Sequence, residues 1–186
     1  EPEQTLLELR MLDLLPEDVL QDLRLRFGAV FDTLNHTARL ILATAESCTG
    51  GWAAQVITHT AGSSAWFDRG FVTYTNDAKT AMLGVRPETL AAFGAVSLET
   101  ASDMARGALQ NSNALISLSI TGIAGPTGGS PGKPVGTVCF GWCVRGQLPE
   151  VERNRFQGDR EAIRRQAVIH ALNGLLVRAK TMPSVP

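Results

Sequence analysis

The stretch Arg39–Gly51 reads RLILATAESCTGG, and the fold turns on it. Its first eight residues are a short apolar run ending at Glu46, the signature of a strand buried on both faces. Ser47, Cys48, Thr49, Gly50 and Gly51 then turn the chain toward a helix over the residues up to Thr60. A buried strand, a glycine turn and a helix are the opening of an α/β unit.

Outward from this unit the alternation continues. Arg69–Thr75 (RGFVTYT) reads as a second strand, and Asn76–Leu83 as a short helix with Asn76 as its cap and Gly84 as its stop. Ser97–Gln110 reads as a helix capped by Ser97, with Ala101, Met104, Ala105, Ala108 and Leu109 on one apolar stripe. Ala114–Thr121 is a third buried strand, followed by a Gly/Pro-rich loop over Gly122–Lys133. Val135–Val144 and Glu150–Phe156 form a hairpin pair, and a last helix covers Asp159–Lys180, with Ala162, Ile169, Leu172, Leu176 and Ala179 inward. The expected fold is a single-domain α/β layered structure, with a mixed, mostly parallel sheet flanked by helices.

The 186 residues suffice for one domain with a sizeable core. We divide them into an acidic, leucine-bearing leader over residues 1–24, a domain over 25–182 and a tail over 183–186. The leader reads as an amphipathic helix broken near Pro16. A net charge of -1 supplies no basic surplus for nucleic acid or an anionic membrane, and no apolar run is long enough to span a bilayer. The start shows no signal-peptide pattern, and three thiols in such a chain point to a reducing, cytoplasmic setting. No Cys/His spacing resembles a metal site, so neither metal nor cofactor is expected.

Three segments fall at the carboxyl ends of strands, where open α/β sheets build their sites. In ESCTGG the helix start offers backbone N–H groups to a phosphate or an oxyanion, or is merely a capped turn. Ser47 is a candidate nucleophile there. Cys48 is its rival, because a helix N-terminus lowers a thiol pKa. In TYTNDAK, Lys79 lies in the first helical turn, where the macrodipole disfavours a cation. Burial there would leave a neutral amine able to take a proton from serine; the plain alternative is a solvated lysine. Tyr74 could donate to the site or fill a core edge. The glycines of TGIAGPTGG permit close backbone approach, but the loop is neither a P-loop nor a dinucleotide fingerprint. Arg160, in GDR before the last helix, could grip a phosphate or lie free on the surface. Ser63 and Ser64 are a further hydroxyl pair near the same region.

Together these segments resemble the CinA C-terminal domain family, the nicotinamide-nucleotide amidases of the stand-alone type. The matching stretches are ATAESCTGG, AGSSAWFDRGFVTYTNDAK, LGV, GAVS, TGIAGPTGG, KPVGTV and GDR, in that order from Ala43 to Arg160. The resemblance implies hydrolysis of nicotinamide mononucleotide to nicotinate mononucleotide and ammonia without a metal, in pyridine-nucleotide salvage, by a homo-oligomer, commonly a dimer. It implies Ser47 as nucleophile, Lys79 as base, and Tyr74 and Thr121 as groups that orient or stabilise the intermediate. It places Ser64, Thr49, Gly50, Gly51, Gly122 and Arg160 around the substrate, with Arg160 near phosphate. The alternative is a non-catalytic nucleotide-binding or interaction module linked to competence or the DNA damage response.

Overall fold

The structure is a computed structural model, and it describes residues 41–59 and 61–181. The expected leader over 1–24, the domain limits at 25 and 182 and the tail over 183–186 lie outside the described residues. Strand β1 (Leu42–Glu46) is wholly buried. It is followed by helix α1 (Trp52–Thr58), a 3-10 turn (Ser63–Ala65) and strand β2 (Phe67–Val72). Three helices come next: α2 (Asn76–Leu83), α3 (Pro87–Phe93) and α4 (Leu98–Gln110). Strands β3 (Ile116–Gly122), β4 (Thr137–Val144) and β5 (Glu150–Arg155) precede the long helix α5 (Arg160–Thr181).

The sheet order is β2-β1-β3-β4-β5. β1 runs parallel to both β2 and β3, whereas β4 and β5 run antiparallel to their neighbours. The mixed sheet expected from the final hairpin is therefore present. One face of the sheet packs Leu42, Ile116, Leu118, Ile120, Phe140 and Trp142 against α1 and α5. The other packs Ala43, Ala45 and Cys143 against α2 and α4. Each fully buried Leu or Ile contributes roughly 1.5–3 kcal/mol.

Polar residues on β3 set the distance to α4. Ser117 Oγ donates to the Ala105 carbonyl and Ser119 Oγ to the Ala101 carbonyl, both at 2.7 Å. Two strand residues advance ~6.6 Å and four helical residues ~6 Å, so the hydroxyls and carbonyls fall into step. A Cβ on Gly141 would lie 2.6 Å from the Ala101 carbonyl oxygen, so α4 lies close to the sheet there.

Several local readings are corrected. Thr75, not Asn76, caps α2: its side chain accepts from the Ala78 amide. The two residues are adjacent and both suit a cap, but Thr75 is the one with extended backbone. Helix α3 was not anticipated; Thr89 is its buried residue, so it carries no apolar stripe. On α5 the inward face is led by Ile163, Ala167, Val168, Ala171, Leu172, Leu175, Leu176 and Ala179. Ala162 and Ile169 are only half-buried. The α4 stripe is buried as read.

The chain leaves β1 toward β2 across one face and returns from α4 to β3 across the other. The crevice between the carboxyl ends of β1 and β3 is thus a topological switch point, the place where such sheets hold ligands.

Candidate active site

A cavity of about 210 Å³ opens at this switch point. Six of the sequence-derived candidates line it: Ser47 from the end of β1, Tyr74 and Lys79 from the β2–α2 corner, Thr121 and Gly122 from β3, and Arg160 from the start of α5. Cys48, Asn76, Ala95, Val96 and Ala124 complete the wall.

Lys79 is only 1% exposed. Its Nζ donates to Ser47 Oγ at 3.0 Å and to the Thr73 carbonyl at 2.8 Å. Burial holds the amine below the usual lysine range, by penalising the ammonium form. The solvated-lysine alternative is therefore ruled out. Placement follows from the helix: Thr75 caps α2, the Lys79 amide bonds to the Thr75 carbonyl, and the side chain lies over the turn N-terminal to its Cα.

The helix tip beside Ser47 is not free, contrary to the expectation from ESCTGG. Glu46, fully buried, turns its carboxylate onto it. Oε2 accepts from Thr49 Oγ1 at 2.6 Å, the Gly51 amide at 3.1 Å and the Ala53 amide at 3.0 Å. Oε1 accepts from the Ala54 amide at 2.9 Å. Thr49 and Gly51 thus belong to the Glu46 network, and neither lines the cavity. In the turn itself Gly50 donates to the Ser47 carbonyl, at 3.0 Å, with φ at +64°. Among the described residues the Cys48 and Thr49 amides donate to no backbone carbonyl.

This carboxylate also reverses the expectation for Cys48. Instead of an activated thiol at a positive helix end, the thiol pKa is pushed up to about 12, first by burial and then by the Glu46 charge. At neutral pH Cys48 is a protonated, inert thiol.

Arg160 and Tyr74 meet at the mouth. Asp159 caps α5 by accepting from the Ala162 amide at 2.8 Å, which places Arg160 at the first helical position. Arg160 Nη1 donates to the Gly125 carbonyl at 2.7 Å and Nη2 to the Tyr74 hydroxyl at 2.8 Å. Tyr74 is exposed, so the core-edge alternative does not hold. The Thr121 hydroxyl donates to the Ala95 carbonyl at 2.7 Å, so its proton is engaged in holding the opposite wall.

Ser64 is not brought to this cavity. It precedes β2 and lines a separate pocket with Ile41, Trp66, Asp68 and Asn113 at the amino ends of the strands. Sequence proximity to the site motifs did not reveal which end of β2 it occupies. Sequence reading in turn missed two residues that hold the turn after Ser47, Glu46 and Arg164. Glu46 stood inside the quoted motif without a role. Arg164 follows Arg160 by one helical turn, a spacing that puts both on one face. Among the described residues no three His, Cys, Asp or Glu side chains cluster as a metal site, and no helix is long and apolar enough to cross a membrane.

Comparison with known proteins shows the family. A family model, the CinA C-terminal domain, matches residues 28–178. The chain is 58% identical over 134 residues to a protein of Escherichia coli K12 named nicotinamide-nucleotide amidohydrolase PncC, covering 72% of this chain and 81% of that protein. A protein of the same name from Pseudomonas putida is 53% identical over 135 residues, covering 73% and 84%. Among solved structures, a competence/damage inducible protein, CihA, from Agrobacterium tumefaciens superposes with a TM-score of 0.80 at 46% identity, covering 88% of this chain and 96% of that one. The competence damage-inducible protein A of Klebsiella pneumoniae gives 0.81 at 37% identity, covering 88% and 99%. With a family match over most of its length and relatives of this identity, the chain belongs to the CinA C-terminal domain family.

Proposed function

We propose that the chain hydrolyses the carboxamide of nicotinamide mononucleotide to nicotinate mononucleotide and ammonia, with Ser47 as nucleophile and Lys79 as its base. The observation that carries this reading is the buried amine of Lys79, 3.0 Å from Ser47 Oγ, in a cavity at the strand ends. The name borne by the relatives from Escherichia coli and Pseudomonas putida supports the substrate.

Neutral Lys79 Nζ takes the Ser47 proton as Oγ bonds to the carboxamide carbon. The oxyanion is met by the amide of Cys48, the residue after Ser47 on the cavity wall, since the Ala53 and Ala54 amides of α1 are occupied by Glu46. Lys79 returns the proton to the amide nitrogen, the C–N bond breaks and ammonia leaves. Water then attacks the ester, giving a proton to Lys79, which restores it to Oγ as the acid departs. Arg160 supplies positive charge at the mouth for the nucleotide phosphate, with Tyr74 as its partner. The working form is a homo-oligomer, which light scattering would size.

The test is ammonia release from nicotinamide mononucleotide by pure protein, with and without a chelator. Equal yields of ammonia and nicotinate mononucleotide, unchanged by chelation, are expected. Tight nucleotide binding with no ammonia would overturn the reading in favour of a binding module.

A further inference from the structure

We propose that Arg164 is a positioning residue for this reaction: from α5 it grips the carbonyls of Cys48 and Thr49 and so fixes the turn that presents Ser47 to Lys79. The inference rests on the reading of Ser47 and Lys79 given above.

Arg164 Nε donates to the Cys48 carbonyl at 3.1 Å and Nη2 to the Thr49 carbonyl at 2.8 Å, across 116 and 115 residues of sequence. Its guanidinium lies over the Trp52 ring, 5.2 Å from the centroid, and Trp52 is itself buried. The fork therefore has a fixed plane as well as two fixed bonds. Glu46 gathers the amides of the helix tip while Arg164 gathers the carbonyls of the turn before it.

A trans peptide is planar, with its C=O and N–H pointing oppositely. Holding the Cys48 carbonyl on Arg164 therefore aims the Thr49 amide away from α5, and holding the Thr49 carbonyl does the same for the Gly50 amide. The Gly50 amide indeed closes onto the Ser47 carbonyl on the other side. Without the guanidinium the turn keeps its bonds to Glu46, the Gly50–Ser47 bond, the Ser47 amide on the Ile120 carbonyl and a 3.3 Å bond from the Trp52 amide to the Thr49 carbonyl, but loses both bonds that tie it to α5. A displacement of ~1 Å in such a constellation costs about 100-fold in rate.

The test compares wild type, Arg164→Lys, Arg164→Ala and the neighbouring control Arg165→Ala, which loses only the Glu161 pair on α5. Ammonia release gives kcat and KM, and circular dichroism checks folding. Arg164→Ala is expected to lose about 30–100-fold in kcat with KM within about threefold. Millimolar guanidinium should restore part of that loss. Arg164→Lys should fall between, because one ammonium cannot span two carbonyls. If the alanine variant fails to fold, the lysine variant carries the test, with a kcat loss of at least fivefold at unchanged KM expected. Labelling of Ser47 by a fluorophosphonate, followed by mass spectrometry, repeats the comparison without turnover. Wild type that labels at Ser47 but releases no ammonia would sink the substrate reading and leave the positioning test standing. Folded Arg164 variants with wild-type kcat and wild-type labelling, or a loss confined to KM, would overturn the inference.

Discussion

Lys79 Nζ bonds both to Ser47 Oγ and to the Thr73 carbonyl, so one buried amine joins the end of β1 to the residue that follows β2. The carbonyl accepts one hydrogen from Nζ and so fixes the amine beside Ser47 Oγ, which accepts another. In the proposed reaction these three groups serve as a nucleophile, its base and a group that orients the base.

The lowered pKa of Lys79 has a consequence for stability. Between its depressed folded value and the ordinary 10.5, the unfolded chain binds a proton that the folded chain does not. Stability from this group is therefore lost as pH falls through that window and regained as pH rises across it. Urea unfolding at several pH values should show the advantage of Lys79→Met over wild type shrinking as pH approaches 10.5. A pH-independent difference would mean that the amine is not perturbed by folding. The same variant should lose about 10⁴-fold in ammonia release.

Cys48 is adjacent to Ser47 yet held as a thiol, with its pKa pushed up to about 12. Cys48→Ala should keep kcat within about threefold of wild type, and iodoacetamide at pH 8 should leave the Cys48 peptide unmodified by mass spectrometry. Rapid alkylation with matching loss of activity would instead make Cys48 the reactive group.

Glu46 accepts three backbone amides and one hydroxyl in a fully buried position. Glu46→Gln presents an amide N–H₂ to donors already pointing inward, and should cost roughly 2–4 kcal/mol in chemical denaturation. The Cys48 thiol should become easier to alkylate in this variant, because the carboxylate charge that raises its pKa is gone. Unchanged stability would contradict the carboxylate's role as the anchor of α1.

Much of this was legible in the sequence because it is local. The apolar run before Glu46 and the glycines after it mark strand and turn, and Ala101, Met104 and Ala108 mark a helix face. What escaped depends on three dimensions. Glu46 reaches amides five to eight residues on only because the Gly50–Gly51 turn folds α1 back over it. Arg164 meets Cys48 and Thr49 only when α5 docks on the sheet. Helix α3 begins with Pro87 and has no side-chain cap, so neither a capping pattern nor an apolar stripe announces it. Ser64 is near β2 in sequence, but the direction of β2 carries it to the end opposite Ser47.

The most direct measurement is ammonia release from nicotinamide mononucleotide by Ser47→Ala beside wild type, both checked for folding. The account predicts a fall on the order of 10⁴-fold or more. A folded Ser47→Ala protein within about tenfold of wild type would contradict it.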